Sequence, residues 1–227
     1  MDETTAPRLL LIRPRASSER FLTELTRVAG PVTALISPLI EIVAEGEAPV
    51  AAAGEEIVLT SPHAAWALEG MAGRRAHVVG ARAAAAARAA GLEVATDAAD
   101  LAGLSAALAG AGAPLLYLRG RHVSGALATG RRLREVVVYD QRALPLSDEA
   151  AAWLAGDRPV LVPLFSARSA RLMAEAAGEA APQARAPLTA VAISDAVAAA
   201  WGGAVAGVAR RADGPAMLAA TVHALGA

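Results

Sequence analysis

Ile57-Val58-Leu59-Thr60-Ser61-Pro62-His63-Ala64 is an apolar run that stops at a small polar turn. Val160-Leu161-Val162-Pro163-Leu164-Phe165-Ser166-Ala167-Arg168-Ser169-Ala170 repeats the arrangement in the second half of the chain. Each reads as a buried strand whose terminal turn opens a helix. The first backbone N–H groups of a helix have no partner inside it, and they suit anions. Two such units in one chain predict two similar domains holding one polyanionic ligand.

The 227 residues suffice for one large domain or two of about 100 residues each. Hydrophobic residues make up 55% and aromatics 3%, and Ala supplies much of the apolar share, so small side chains must build the core. A net charge of −1 argues against nucleic-acid and membrane-surface partners. All 21 basic residues are Arg. Codon bias in a GC-rich genome explains this more simply than selection for the guanidinium fork. Without Lys, a lysine Schiff base is excluded. Without Cys, so are disulfides, thiolate catalysis and thiolate-bound metals. His63, His77, His122 and His223 lie far apart and show no metal-ligand spacing. The acidic start Met1-Asp2-Glu3 and the short run Leu9 to Ile12 do not resemble a signal peptide. No uncharged apolar stretch approaches the roughly 18 residues of a membrane span. A soluble cytoplasmic protein is the expectation.

Outward from the two quoted stretches, short apolar runs alternate with Ala-rich helical ones. Strands are predicted at Arg8 to Ile12, Ile57 to Leu59, Ala76 to Val79, Glu93 to Ala95, Pro114 to Leu118, Pro159 to Phe165, Leu188 to Ile193 and Ala204 to Ala209. Helices are predicted at Ser17 to Val28, Pro62 to Leu68, Arg82 to Ala90, Leu101 to Leu108, Ala167 to Ala177, Asp195 to Trp201 and Pro215 to Leu225. They rest on apolar periodicity and on glycines such as Gly30 and Gly91 just past the helix ends. Val32 to Val43 and Glu135 to Leu144 are long, extended and β-branched. No helix is read after the second of them, and the pair reads as two inter-domain crossings. Repeated β-α units with continuous apolar strands imply parallel sheets covered by helices on both faces. Ligands in such folds lie beyond the C-terminal ends of the strands.

The motifs at those ends form an ordered set. Leu10-Leu11-Ile12-Arg13-Pro14, Pro38-Leu39-Ile40-Glu41-Ile42, Leu59-Thr60-Ser61-Pro62 and Val79-Gly80-Ala81-Arg82 come first. Leu116-Tyr117-Leu118-Arg119-Gly120, Val138-Tyr139-Asp140, Phe165-Ser166-Ala167-Arg168-Ser169 and Ala192-Ile193-Ser194 follow. In order and spacing, from Leu9 to about His223, the set resembles the uroporphyrinogen-III synthase family. The resemblance implies two flavodoxin-like α/β domains joined by a two-stranded linker. Residues 1–37 with 146–227 would form one, 44–135 the other, and 38–43 with 136–145 the linker. The family converts hydroxymethylbilane to uroporphyrinogen III, losing water, inverting ring D and closing the macrocycle, with no cofactor. The implied partner is this linear tetrapyrrole, held in the inter-domain cleft of a monomer. Its instability leaves room for transient contact with hydroxymethylbilane synthase. The alternative is a non-catalytic relative that binds a tetrapyrrole or other polyanion.

Loss of the hydroxyl leaves a reactive azafulvene that can close without inversion to the type I isomer. Selectivity is therefore mainly positioning, with some general-acid help to the leaving hydroxyl. Tyr139, which matches the family's linker tyrosine, is the expected acid, and its structural alternative is a strand tyrosine packed at a domain edge. The substrate's eight carboxylates are expected at the turns holding Ser61 and His63, Gly80, Ser166, Ala167 and Ser169, and Ser194. These serines equally suit plain N-capping. Arg13 and Arg119 are the expected side-chain partners of carboxylates, and a solvated loop explains Arg119 as well. Ile12, Ala83, Ala196 and Val197 stand where the family commonly has hydroxyl residues.

Overall fold

The structure, a computed structural model, describes residues 6–123, 125–180 and 183–226. The acidic start at Met1 to Glu3 lies outside the described residues. The chain divides into two compact units, Met1–Glu41 with Ala143–Ala227 and Ile42–Arg142.

In the first unit the strands are β1 (Arg8–Leu11), β2 (Ala34–Ile36), β9 (Val160–Leu164), β10 (Leu188–Ala192) and β11 (Val205–Val208). They form a parallel sheet in the order β11-β10-β9-β1-β2. Its helices are α1 (Arg15–Ala29), α4 (Asp148–Ala155), α5 (Ala167–Ala180), α6 (Asp195–Trp201) and α7 (Gly214–Leu225). A parallel sheet must be covered on both sides, and two apolar clusters do this. Leu10, Ile12, Val160, Val162 and Leu164 face Leu154, Met173 and Trp201. Leu9, Leu11, Leu161 and Val191 face Phe21, Leu25 and Met217. Every residue of β9 is buried, including Pro163, which has no N–H to donate. The β1–β9 ladder ends at Leu9–Leu161, before that donor would be needed.

The second unit holds β3 (Ile40–Ala44), β4 (Glu56–Leu59), β5 (Arg75–Val79), β6 (Glu93–Ala98), β7 (Leu115–Gly120) and β8 (Leu133–Ala143). The sheet order is β3-β8-β7-β4-β5-β6, and the five strands from β8 to β6 are parallel. Helices α2 (Ala81–Ala89) and α3 (Leu101–Ala107) and a 3-10 segment, Pro62–Leu68, connect them. Ile57, Leu59, Leu116 and Leu118 bury one face against Ala64, Ala67, Ala84 and Ala87. Val58, Leu115 and Tyr117 bury the other against Leu104, Leu108 and Leu127. Alanine thus replaces bulky side chains on the helix side, as the composition predicts.

Both sheets are doubly wound, but their strand orders differ. The first reads 2-1-3-4-5 in chain order, and the parallel part of the second reads 3-2-1-4-5. The order reverses between β1 and β9 in one and between β4 and β7 in the other. Crevices open at such points, because the connections leave neighbouring strands in opposite directions. The two stretches quoted at the outset end β4 and β9, one at each reversal. The extended crossings also have a definite form. The first splits at Ser37-Pro38-Leu39 into β2 and β3. Glu45 N–H donates to Val138 O (2.9 Å) and Leu144 N–H to Leu39 O (3.0 Å), so β3 and β8 run antiparallel.

One expectation is corrected here. A helix, α4, follows the second crossing, where none is predicted. Ser147 Oγ accepts the Ala150 N–H, Asp148 and Glu149 occupy the first turn, and Gly156 ends it. This is an ordinary capped start with acidic residues favoured by the helix dipole.

At the N-terminal edge of the second sheet two carboxylates anchor neighbouring segments. Arg134 donates to both Glu55 oxygens, at 2.6 and 2.9 Å. Glu56 meets His77 at 2.8 Å, Arg131 at 2.9 Å and Arg75 at 3.2 Å. The Arg134 bond holds the Glu55 carboxyl below its usual range, against the effect of burial. Burial works against Glu56 ionisation too, but the His77 bond and the charges of His77, Arg75 and Arg131 outweigh it and hold Glu56 low. The unfolded chain therefore takes up protons at higher pH than the folded one. The stability contributed by these groups is complete above the ordinary value of 4.5 and is lost as pH falls through the lower folded values. Thermal melts across an acid series should show the midpoint dropping below pH 4.5, with a shallower fall in Glu55→Gln. An identical acid slope in the variant would show the pair to be idle.

Candidate active site

The second unit has a cleft of about 420 Å³ at the C-terminal edge of its sheet, lined in part by Thr60, Ser61, Val79, Tyr117, His122 and Tyr139. Thr60 and Ser61 follow β4, and His122 follows β7, so the cleft lies where the strand order reverses. Strand ends supply its polar groups because the strand bodies are committed to the core.

Two tyrosines reach it from adjacent strands, and their surroundings differ. Tyr117, 2% exposed, shares a hydrogen bond of 2.9 Å between its hydroxyl and that of Thr60. Burial pushes its phenol pKa up, and the neighbouring Tyr139 and Glu135 add to this against the opposing Thr60 bond and Arg119 charge. Tyr139, 5% exposed, has its ring against the His63 ring edge, with centroids 5.7 Å apart. Among the described residues its hydroxyl forms no hydrogen bond. It also lines the cleft.

Ser61 caps the segment that follows, its Oγ accepting the His63 N–H at 3.3 Å. That segment is a 3-10 helix of seven residues, not the α-helix expected, and the chain leaves it through Gly70 at φ 75. Gly80, at φ 81, precedes α2 and has no side chain to cap it, which leaves first-turn N–H groups for another acceptor. Arg119 Nε donates to Glu135 at 2.7 Å and its Nη1 to Gly120 O at 3.0 Å. It bridges β7 and β8.

In the first unit the corresponding reversal holds the other expected residues. The Arg13 guanidinium lies 3.9 Å over the Phe165 ring, joining the end of β1 to the end of β9 by a cation–π contact. Ser166 Oγ accepts the Ser169 N–H at 3.1 Å and shares a 2.8 Å hydrogen bond with Ser169 Oγ. Ala167, the first residue of α5, is half-buried, and Ser169 is buried. Ser194 departs from the capping expectation. It precedes α6, but its side chain makes no cap hydrogen bond.

Sequence reasoning missed Tyr117, Thr60 and the His122–Asp140 pair, whose N···O distance is 3.4 Å. Tyr117 and Thr60 stood in the quoted motifs, but nothing local shows that residues so far apart in the chain meet across a β4–β7 ladder. The positions lacking the family's hydroxyls are mostly interior: Ile12, Ala83 and Val197 are buried, whereas Ala196 is exposed. Among the described residues no group of His, Cys, Asp or Glu could hold a metal ion. Nor is any helix there long and apolar enough to cross a membrane.

Two doubly wound units, each with polar groups at the strand ends beside its order reversal, define a two-unit α/β protein. The family model of uroporphyrinogen-III synthase HemD matches residues 21–219, and the chain belongs to that family, whose members are cyclising lyases of porphyrin biosynthesis. The fold is similar to that of uroporphyrinogen-III synthetase from Helicobacter pylori 26695, at 14% identity over 96% of this chain and 99% of that one, with a TM-score of 0.64. It is also similar to a mutant uroporphyrinogen III synthase from the extremely thermophilic bacterium Thermus thermophilus, at 18% identity over 97% and 99%, with a TM-score of 0.54. At these identities the likeness is one of fold. No curated protein matches the sequence.

Thr60→Val should leave the Tyr117 hydroxyl buried without its partner and cost about 1–3 kcal/mol, read from urea unfolding. Adding Tyr117→Phe should restore part of that loss, since both polar groups are then gone. Equal stability of wild type and Thr60→Val would show that the bond contributes nothing.

Proposed function

We propose that this chain closes hydroxymethylbilane to uroporphyrinogen III, with Tyr139 donating the proton that carries off the hydroxyl. The observation that supports this reading is the Tyr139 phenol. It is buried among apolar side chains, lines the cleft at the sheet's order reversal, and has no hydrogen-bond partner among the described residues. Tyr117 shares its hydroxyl with Thr60 in a bond that either oxygen can donate, and burial pushes its phenol pKa up, so it is the poorer candidate.

The step balances simply. Tyr139 Oη protonates the hydroxymethyl oxygen, the C–O bond breaks with its electrons leaving on water, and the azafulvene cation remains. Attack through the substituted carbon of ring D then gives the spiro intermediate that permits inversion. A phenol is a weak acid, so its share of the rate is partial. Positioning carries the rest, since the same cation closes to the type I isomer when it is free to do so.

The acetate and propionate carboxylates bind, in this reading, at strand-end turns. Gly80 before α2 offers backbone donors with no side chain of its own in competition. Ser194, whose side chain makes no cap hydrogen bond, leaves its turn equally uncapped, whereas Ser166, Ala167 and Ser169 at the start of α5 and Ser61 with His63 offer theirs less openly. Arg13 and Arg119 add charge near these turns while held by Phe165 and Glu135. No observation favours the non-catalytic alternative.

The direct experiment supplies freshly generated hydroxymethylbilane, oxidises the products and resolves the porphyrin isomers. Type III product is expected, and type I alone, as without protein, would sink the reading. Tyr139→Phe should lower kcat by about 10- to 100-fold without abolishing type III formation. Unchanged turnover would make Tyr139 a packing residue.

A further inference from the structure

Tyr139 sits at an irregularity in its strand. Along β7 and β8, Arg119 pairs with Val137, but the next residue, Gly120, pairs with Tyr139. Val138 is therefore an extra residue in β8, a bulge within a parallel pair. Its effect appears in burial. Regular strands send successive side chains to opposite faces, yet Val138 and Tyr139 are successive and both belong to the same core cluster, which Val136 also joins. The bulge turns Tyr139 onto the face it would otherwise leave.

Two further features hold that turn in place. The Val138 carbonyl accepts the Trp66 indole N–H at 2.9 Å and the Glu45 N–H at 2.9 Å. Trp66 reaches it from the 3-10 segment that also brings His63 against the Tyr139 ring. Opposite, the ring crosses the bare backbone of Gly120. A Cβ there would lie 2.6 Å from Cε2 and Cζ of Tyr139 and 2.8 Å from its Oη. Gly120 is not among the glycines at positive φ, so the conformational freedom of glycine is not what this position needs. It needs the absence of a side chain.

We propose that Gly120 and Trp66 are positioning residues for the Tyr139 proton donor. The bulge at Val138 re-aims the tyrosine, Trp66 locks the bulge, and Gly120 leaves the space in which the phenol reaches the cleft. Bulges beside reaction centres commonly serve to re-aim a side chain in this way. The inference rests on the reading of Tyr139 as the acid.

Gly120→Ala puts the new methyl against the outer end of the Tyr139 side chain rather than against backbone, so the ring is expected to yield rather than the backbone. Its kcat should fall about tenfold with KM little changed, and the same substitution in a Tyr139→Phe background should cause little further loss. Trp66→Phe keeps an aromatic ring but removes the donor to Val138, and should lower kcat about threefold. It keeps the test open if Gly120→Ala fails to fold. With Tyr117→Phe as the common background, Tyr139 is the sole tyrosine of the chain's two. The resonances of its 13C-labelled ring should then shift in both variants. Full turnover in Gly120→Ala or unmoved ring resonances, beside a slowed Tyr139→Phe, would overturn the positioning role alone. So would equal losses from Gly120→Ala in both backgrounds. Full turnover in Tyr139→Phe would overturn the donor reading, and the positioning role with it.

Discussion

Parallel strands cannot be joined by tight turns, and this constraint organises the chain. Each return passes over a face of the sheet, so both faces are covered and the strand bodies must be apolar. Leu9, Leu10, Leu11, Ile57, Val58 and Val162 are at or near zero exposure for that reason. Polar chemistry is displaced to the strand ends. At the C-terminal ends the turns carry Arg13, Thr60, Ser61, Gly80 and Ser166. At the opposite edge of the second sheet, Glu55 and Glu56 gather arginines and His77 into networks that stabilise the fold. Anchoring charges and cleft groups thus lie at opposite edges of one small sheet.

Within the cleft, the two tyrosines sit in different environments. Tyr117 is embedded, bonded to Thr60 and pushed towards a higher pKa by burial. Tyr139 has the ring contacts of a core residue but leaves its hydroxyl unused by the described residues. A reaction whose difficulty is choosing between two closures of one cation needs little acid strength and much fixed geometry. Small side chains suit that need. Ala64, Ala67, Ala84 and Ala87 let the connecting helices lie close on the sheet, and few rotamers remain to blur the position of whatever they support.

Much of the fold was legible because its signals are local. Apolar runs broken by Pro, Gly or Ser marked β1, β4, β9 and β10, and Gly30 and Gly91 marked helix ends. The helix α4 was equally local, since Ser147, Asp148, Glu149 and Gly156 form an ordinary start and stop. It was missed because the extended crossing before it suggested a break in the β-α rhythm. The 3-10 character of Pro62–Leu68 was not legible, since the same residues satisfy either ladder. Of the site, the strand-end turns were readable from the pattern. The Thr60–Tyr117 bond, the stacking of Arg13 on Phe165 and the commitment of Arg119 to Glu135 were not, because each joins residues on separate strands.

The sequence by itself determined where strands end and that those ends are small, polar and helix-opening, because backbone preference and apolar periodicity are properties of neighbouring residues. Only the tertiary structure decided which ends meet. The strand orders place Thr60 beside Tyr117 in one sheet and Arg13 beside Phe165 in the other. The extra residue at Val138 turns Tyr139 over Gly120, and a one-residue slip of this kind has no signature in a single strand. It exists only in the register between two strands, and that is set by everything packed around them.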